Sequence, residues 1–400
     1  RLRAQDMQTA GRSNNWATTI NGPVIIPKLY NGKDKLFFSF SYNGFKDVKS
    51  EEAGDINRTI PTLSDREGDF GYLLQVDPVR YLIHDPLSVR PDPARPTHVI
   101  RTPFDNNRIP RARITNPAYN AYVKLLPTPN NNPSDPRREP ANNYLAVATP
   151  FNWDYKAFHN RIDYAHSDKH RFFGRWSWND FLEDRGDWTY DSARGLHTNG
   201  LNRHNIGATV DWVHTITPTT VLDVAVSANE FRTGDKITVP LSFKPSDVGL
   251  PKYLDQKAGD QHILPFLDFD TYQDIGRSGV PTFRRNRLLT SKADLSHVRG
   301  KHSLRGGVDV RQHFRTGGGG GNTSGNFSFN NSYTRRYDDS FNFPAGNYGH
   351  LWAAFMMGFP SGMSVATNDS HAIQSPYYAW HVQDNWRLTP KLTLTLGLRA

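Results

Sequence analysis

The sequence predicts an all-β protein, an antiparallel transmembrane β-barrel read as a fragment of about ten to twelve strands from a larger barrel, with long extracellular loops containing short helices. Three observations carry this. Strands with one apolar and one polar face recur along the chain. Short turns alternate strictly with long connections. Charged residues stand in mid-strand on the polar face, where a dry core would not take them unpaired and a wet lumen would.

The elements follow in order. Residues 15–26 pair with 36–46 across "PKLYNGKDK". Residues 152–165 pair with 171–179 across "HSDKH", and 205–214 with 221–230 across "TITPTT". Residues 287–297 pair with 303–314 across "VRGKH", and the last hairpin, within 377–400, turns at "RLTPK". Within each strand, alternate side chains share a face. Leu36, Phe38, Phe40 and Tyr42 oppose Phe37, Ser39, Ser41 and Asn43. Leu392, Leu394, Leu396 and Leu398 oppose Thr393, Thr395, Gly397 and Arg399. The connections 47–151, 180–204, 231–286 and 315–376 are long, so every short turn falls at one end of the sheet. A membrane barrel needs that arrangement; a soluble sandwich has no reason to keep it. The rhythm places Lys28, Asp168, Pro218, Gly300 and Pro390 on the periplasmic side, and Pro96, Gly195, Lys257 and Gly319 outside.

The long connections carry local signals. "SDRE" (Ser64 to Glu67) has capping-box spacing. "NPAYNAYVKLL" puts Asn116 at an N-cap, Pro117 at the first helical position, and Ala118, Ala121, Tyr122 and Leu125 on one face. "TGGGGGN" reads as a flexible link, "GNFSFNNS" as a short strand, and "YGHLWAAFMMGF" as a short helix ended by Gly358 and Pro360.

Composition sets limits. The apolar fraction of 36% is low for 400 residues, which a polar lumen face explains, and no run is long enough for a membrane helix. The absence of Cys excludes disulfide and thiolate chemistry. Net charge is +9, which can mean nucleic acid or an anionic surface such as lipopolysaccharide, but the basic residues are scattered and favour an ordinary solvated surface; nucleic acid is not expected, and outer-membrane lipid and lipopolysaccharide are the partners expected of a membrane barrel. No nucleophile elbow or metal-binding His pair appears, so neither an enzyme nor a cofactor is expected.

Candidate site residues come from the two faces. Arg161, Asp163, Arg175, Asp211, Asp309 and Arg311 are lumen-facing candidates. Arg161 with Asp163, and Asp309 with Arg311, read either as contacts to a plug or substrate or as a salt-bridge ladder that keeps the lumen wet. Trp16, Tyr42, Trp176, Trp178, Trp212, Trp380 and Trp386 are candidates for an interfacial aromatic belt; some of these Trp could instead stack on sugars. Asp338 and Asp339 offer oxygen ligands for Ca²⁺ without the spacing of a known loop. Leu351, Trp352 and Phe355 could dock a ligand or pack inside their own loop.

Several segments together resemble Oar-like TonB-dependent transporters: "NGPVIIPKLYNGKDKLFFSFSYNGF", "RTPFDNNRIP", "NRIDYAHSDKHRFFGRWSWND", "VRGKHSLRGGVDVR", "FMMGFPSG" and "YYAWHVQDNWRLTPKLTLTLGLR". The resemblance runs from about residue 15 to the end. It implies that residues 1–400 are a partial TonB-dependent receptor barrel domain, with 47–151 and 315–376 as large extracellular loops. It implies an outer-membrane barrel of about twenty-two strands with a plug inside, drawing energy from the inner-membrane TonB complex. The plug, the TonB box, the first strand and the second half of the barrel are expected to lie outside this sequence. The function expected is transport of a large or scarce ligand across the outer membrane. A structural or adhesive barrel and a soluble β-rich binding protein are the alternatives.

Overall fold

The computed structural model describes residues 11–49, 57–132, 139–145, 151–184, 200–236, 244–258, 265–276, 282–319, 321–341, 346–366 and 370–400. Ten long strands form one antiparallel sheet in strict chain order. They are β1 (Arg12–Pro23), β2 (Leu36–Lys49), β3 (Phe151–Ala165), β4 (His170–Asp184) and β5 (Gly200–Thr217). Then come β6 (Thr220–Lys236), β7 (Phe283–Arg299), β8 (His302–Gly318), β9 (His371–Thr389) and β10 (Leu392–Arg399). Among the described residues β1 pairs only with β2 and β10 only with β9, so the sheet is open. An open, curved antiparallel sheet is what unpaired first and last strands dictate.

The hairpins form where the alternation puts them, and several strands run past their expected ends. β4 continues to Asp184 and β5 begins at Gly200, which shortens the expected 180–204 connection; Gly195 lies outside the described residues. β8 runs to Gly318, so part of the glycine run is strand rather than link. The first strand ends at Pro23, and Ile25–Ile26 pairs separately with Tyr30–Asn31 inside the turn. Gly300 turns the β7–β8 hairpin at φ 57°, a left-handed conformation that favours glycine.

Register carries each face across the sheet. Leu36, Tyr164, Phe172, Trp212, Val224, Ala293, Val308 and Trp380 form one cross-strand row on the apolar face. On this face Ile162, Val210, Val226 and Leu398 stand more than half exposed. On the polar face Ala157, Ala225, Ala379 and Asp211 are buried. Side chains thus splay on the apolar side and crowd on the polar side, as a sheet curved around its polar face requires.

The long connections fold together. Their short helices are α1 (Leu63–Arg66), α2 (Leu73–Val76), α3 (Tyr119–Leu125), α4 (Tyr253–Ala258) and α5 (Leu351–Met357). Three connections supply one hydrophobic core: Phe70, Leu73 and Tyr122 from the first, Leu267, Phe269 and Tyr272 from the third, and Phe329, Trp352 and Phe355 from the fourth. No residue of the ten long strands belongs to it. We call this unit the cap.

Local chemistry shifts the helix starts. The capping box joins Thr62 to Asp65, two residues before the expected "SDRE", because Thr62 is the residue held extended (ψ 165°) ahead of α1. Asn116 does orient α3, but the helix begins only at Tyr119. Asn116 Oδ1 accepts from the Ala118 N–H at 3.0 Å, and its Nδ2 donates to the Phe355 carbonyl at 2.8 Å. The buried α3 residues are Tyr119 and Tyr122, with Leu126 just beyond; Ala121 and Leu125 are only partly covered. Helix α5 ends at Gly358 (φ 76°), as its sequence predicts.

Candidate functional site

Two regions gather polar and charged groups. The first is the middle of the polar face. Arg161 holds Asp163 in a two-point contact, Nε to Oδ2 at 2.8 Å and Nη2 to Oδ1 at 2.7 Å. Arg311 holds Asp309 likewise, at 3.0 and 2.6 Å. Each pair lies two residues apart on one strand, so both side chains share a face. The arginines also stack on that face: Arg161 lies 4.1 Å from the Phe173 ring centroid and Arg311 5.2 Å from that of Tyr377.

Register links these pairs. Arg161 stands opposite Arg175, whose Nε donates to Thr209 Oγ1 at 3.2 Å. Asp163, Phe173, Asp211, Ala225, Lys292 and Asp309 form the next row. All six residues expected on the lumen side therefore share this face, and the two ion pairs sit on strands well apart within it. Asp223, Asp294 and His381 belong to it as well, although none was among the site candidates. Asp294 on β7 reaches His381 on β9 at 3.3 Å. Gly307 on the intervening β8 allows this, since a Cβ there would lie 2.5 Å from Asp294 Oδ1. An Asp and a His two strands apart in register leave no sequence signal except that glycine.

The second region is inside the cap. His350 is 2% exposed, and its Nε2 lies 2.8 Å from Glu139 Oε1. The Tyr272 hydroxyl lies 3.3 Å from His350 Nε2 and 3.4 Å from Glu139 Oε1. Asp65, fully buried, accepts from the Thr62 N–H and from the Tyr72 hydroxyl at 2.9 Å. Burial alone would push the His350 pKa down, but the Glu139 carboxylate, helped by Asp65, raises it. Burial would raise Glu139, yet His350 holds it below the usual carboxylate range. Burial raises Asp65. His84 shows the contrast: equally buried, with no carboxylate against it, it is driven down to about 4. This network joins the first connection to the third and fourth.

A model of the outer membrane beta barrel domain family matches residues 3–399. The chain belongs to this family. Its barrel is an outer-membrane barrel, and the apolar helix that other membrane proteins use is not found among the described residues. Solved structures resemble the chain at low identity. The outer membrane transporter YddB from Escherichia coli is 9% identical, with a TM-score of 0.47, over 97% of this chain and 33% of that one. The ferric-catecholate import receptor Fiu from E. coli K12 is 10% identical, with a TM-score of 0.39, over 97% of this chain and 43% of that one. The ferric yersiniabactin uptake receptor FyuA from Yersinia pestis is 7% identical, with a TM-score of 0.39, over 97% of this chain and 37% of that one. The chain thus spans well under half the length of these proteins. No curated protein matches it.

On the barrel's apolar face the aromatic residues form two clusters. Near the long-connection ends, Phe158 stacks on Tyr42 with centroids 4.6 Å apart and meets Trp178 at 5.5 Å. Trp16 lies over Gly44, where a Cβ would come within 2.7 Å of the indole. Near the short turns, Phe172 and His170 stack on Trp212 at 6.2 and 5.9 Å, and Trp386 stacks on His302 at 5.3 Å. Trp176 and Trp380 stand mid-strand, apart from both clusters, opposite Ala208 and Val308 respectively.

Two other candidates resolve differently. His98, which the sequence did not single out, brings its ring within ligand-sharing distance of Asp338 and Asp339. Arg95 already occupies Asp339 at 2.8 Å, so the cluster balances its charge with protein groups. Trp352 and Phe355 do not pack inside their own loop alone. They meet Phe269 at 5.6 and 5.5 Å, and Phe355 meets Tyr122 edge-on at 6.0 Å, so three connections share them.

Proposed function

We propose that this barrel belongs to a TonB-dependent outer-membrane transporter of the Oar-like kind, which carries a large or scarce ligand through its lumen. The observation that carries the reading is the cap. Connections that only joined strands would need no common core, yet these bury Trp352, Tyr122, Phe70 and Phe355 together. Long loops with structure of their own are where barrels bind. In this reading the cap is extracellular, includes much of 47–151 and 315–376, and closes over or contacts the ligand. Arg161, Asp163, Arg175, Asp211, Asp309 and Arg311 line a water-filled lumen or meet a plug, and the aromatic clusters lie at the two membrane interfaces. A plug and a TonB-docking segment belong to the whole protein rather than to this segment. An adhesive barrel would share the outer faces but not the plug; the family assignment leaves the soluble reading without support.

The full-length protein tests this. In planar bilayers it should stay closed to ions, as a plugged lumen demands, and purified TonB should bind it. A permanently open pore, or no TonB binding, refutes the transporter reading. Sidedness has its own test. Cysteines at Asp168 and Gly300 should resist a membrane-impermeant reagent in intact cells, while one at Pro96 should react. The opposite pattern reverses the model.

A further inference from the structure

On the apolar face, the lipid-like stretch ends abruptly at one level. Along β6, Leu222, Val224, Val226 and Ala228 give way to Glu230 and Arg232. Along β7, Leu295 to Leu289 gives way to Arg287 and Arg285. The apolar run of about six residues spans roughly 20 Å, close to the height of a barrel's lipid-facing band. Glu230 stands opposite Arg287, and Arg232 opposite Arg285. The charges therefore lie together just beyond the band, at the long-connection end.

Their arrangement is specific. Arg285 Nε donates to Glu230 Oε2 at 2.7 Å and Arg287 Nε at 2.5 Å, while Arg232 Nε donates to Oε1. One carboxylate, only 13% exposed, thus gathers three guanidinium groups that remain 37–55% exposed. Glu230 neutralises one charge and leaves a surplus of two. Glu230 engages Arg232 and Arg287 through Nε and Arg285 through both Nε and Nη2, the latter at 2.7 Å, so the outer N–H groups of Arg232 and Arg287 remain for a further acceptor. The arginines border a cleft of about 860 Å³ that His204, Phe283 and Phe314 also line; Arg284 adds a positive charge to it and Asp180 and Asp235 add two negative ones, so with Glu230 the cleft keeps a net positive charge of one. Three preorganised guanidinium forks beside an apolar wall match a phosphate carried on an acyl-chain anchor. Charge on a lipid-facing wall is costly at the midplane and nearly free at the headgroup level, so its position beyond the band fits this use.

We propose that Arg232, Arg285 and Arg287, aligned by Glu230, bind the phosphate of a phosphorylated glycolipid headgroup in the outer leaflet. This rests on the reading that the apolar face meets lipid and the long-connection end faces outward. The acyl chains would lie along Val226 and Ala228, and the phosphate would bridge the arginines.

The test uses the full-length protein purified in detergent, with diphosphorylated lipid A, its dephosphorylated form and inorganic phosphate as probes, read by native mass spectrometry. Wild type should bind diphosphorylated lipid A, and R232Q/R285Q/R287Q should bind it at least ~10-fold more weakly. Heat-modifiable gel mobility checks that the variant is folded; if it is not, R287Q alone should still give an about threefold loss. Equal binding by the variants, or by the dephosphorylated lipid, overturns the proposal. Displacement by millimolar inorganic phosphate would make this a soluble-anion site and also overturn it. A fluorophore at V226C quenched by brominated lipid tests the underlying orientation separately. Quenching with no loss in the variants defeats the headgroup site alone, and no quenching defeats the orientation.

Discussion

Replacing Glu139 with Gln should loosen the cap, and the effect should depend on pH in a defined direction. Glu139 Oε1 lies 2.8 Å from His350 Nε2, and the imidazole side chain is 1% exposed while the carboxylate is 23% exposed. Breaking a buried pair by removing one partner costs about 3–5 kcal/mol. Two facts reduce that here: the carboxylate is partly wet, and His350 can shed its proton instead of staying charged and unpaired. An expected loss of about 2 kcal/mol follows, the scale of a hydrogen bond to a charged group. His350 has a raised folded pKa, so its contribution is complete below its unfolded value of about 6.5 and is lost as pH rises through the folded value. Glu139 has a lowered folded pKa, so its contribution is present above about 4.3 and is lost as pH falls through the folded value. The difference between wild type and E139Q should therefore be largest between about pH 4.5 and 6.5 and shrink above that window. Hydrogen exchange of the full-length protein in detergent reads it segment by segment. Amides of 63–73 and 350–357 should exchange about thirtyfold faster in E139Q at pH 6, while β5 and β6 stay unchanged. Equal protection at pH 6, or a larger loss at pH 8 than at pH 6, would refute the reasoning.

Trp352→Ala and Phe355→Ala should each cost the cap about 3–5 kcal/mol, since both side chains are fully buried, and should open it to protease without altering the heat-modifiable mobility of the barrel. A double-mutant cycle on Arg161 and Asp163 should give a coupling below about 1 kcal/mol, because both side chains are more than two-fifths exposed; a value above 3 would mean the pair is desolvated by something in the lumen. Urea should unfold the cap before the sheet, seen as loss of near-ultraviolet signal ahead of far-ultraviolet signal; coincident transitions would show that the two are one cooperative unit.

Much of the sheet could be read because its information is local. Phe38, Phe40 and Tyr42 name their own face, and strict alternation carries it from strand to strand. The ladder pairs were equally legible, since Arg161 and Asp163 need only be two residues apart. The cap was less so. Tyr122, Phe269 and Phe355 come from three separate connections, and periodicity holds no term for that distance. Glu139 and His350 are 211 positions apart, and neither carries a motif. His98 beside Asp338 and Asp339 is hidden for the same reason. The misplaced capping box is a different failure: "SDRE" and Thr62–Asp65 both have the right chemistry, and only the extended backbone at Thr62 selects between them.

The position of the hydrophobic core has a physical reason. A soluble sheet must cover its apolar face with protein, because water will not. This sheet leaves Val210, Val226, Tyr378 and Leu398 uncovered, each at least 55% exposed. In an outer-membrane barrel lipid does the covering, and the sheet needs only closed hydrogen bonding across its ladders. The connections stand in water and have no such solvent, so the full rule of soluble proteins applies to them. They must bury Trp352 and Phe355 among themselves, satisfy Asn107 through the Phe70 and Tyr81 carbonyls at 3.0 Å each, and pair His350 with Glu139. One chain thus obeys two solvents. The low overall hydropathy, the bare apolar wall and the aromatic core placed wholly outside the long strands are consequences of the same division.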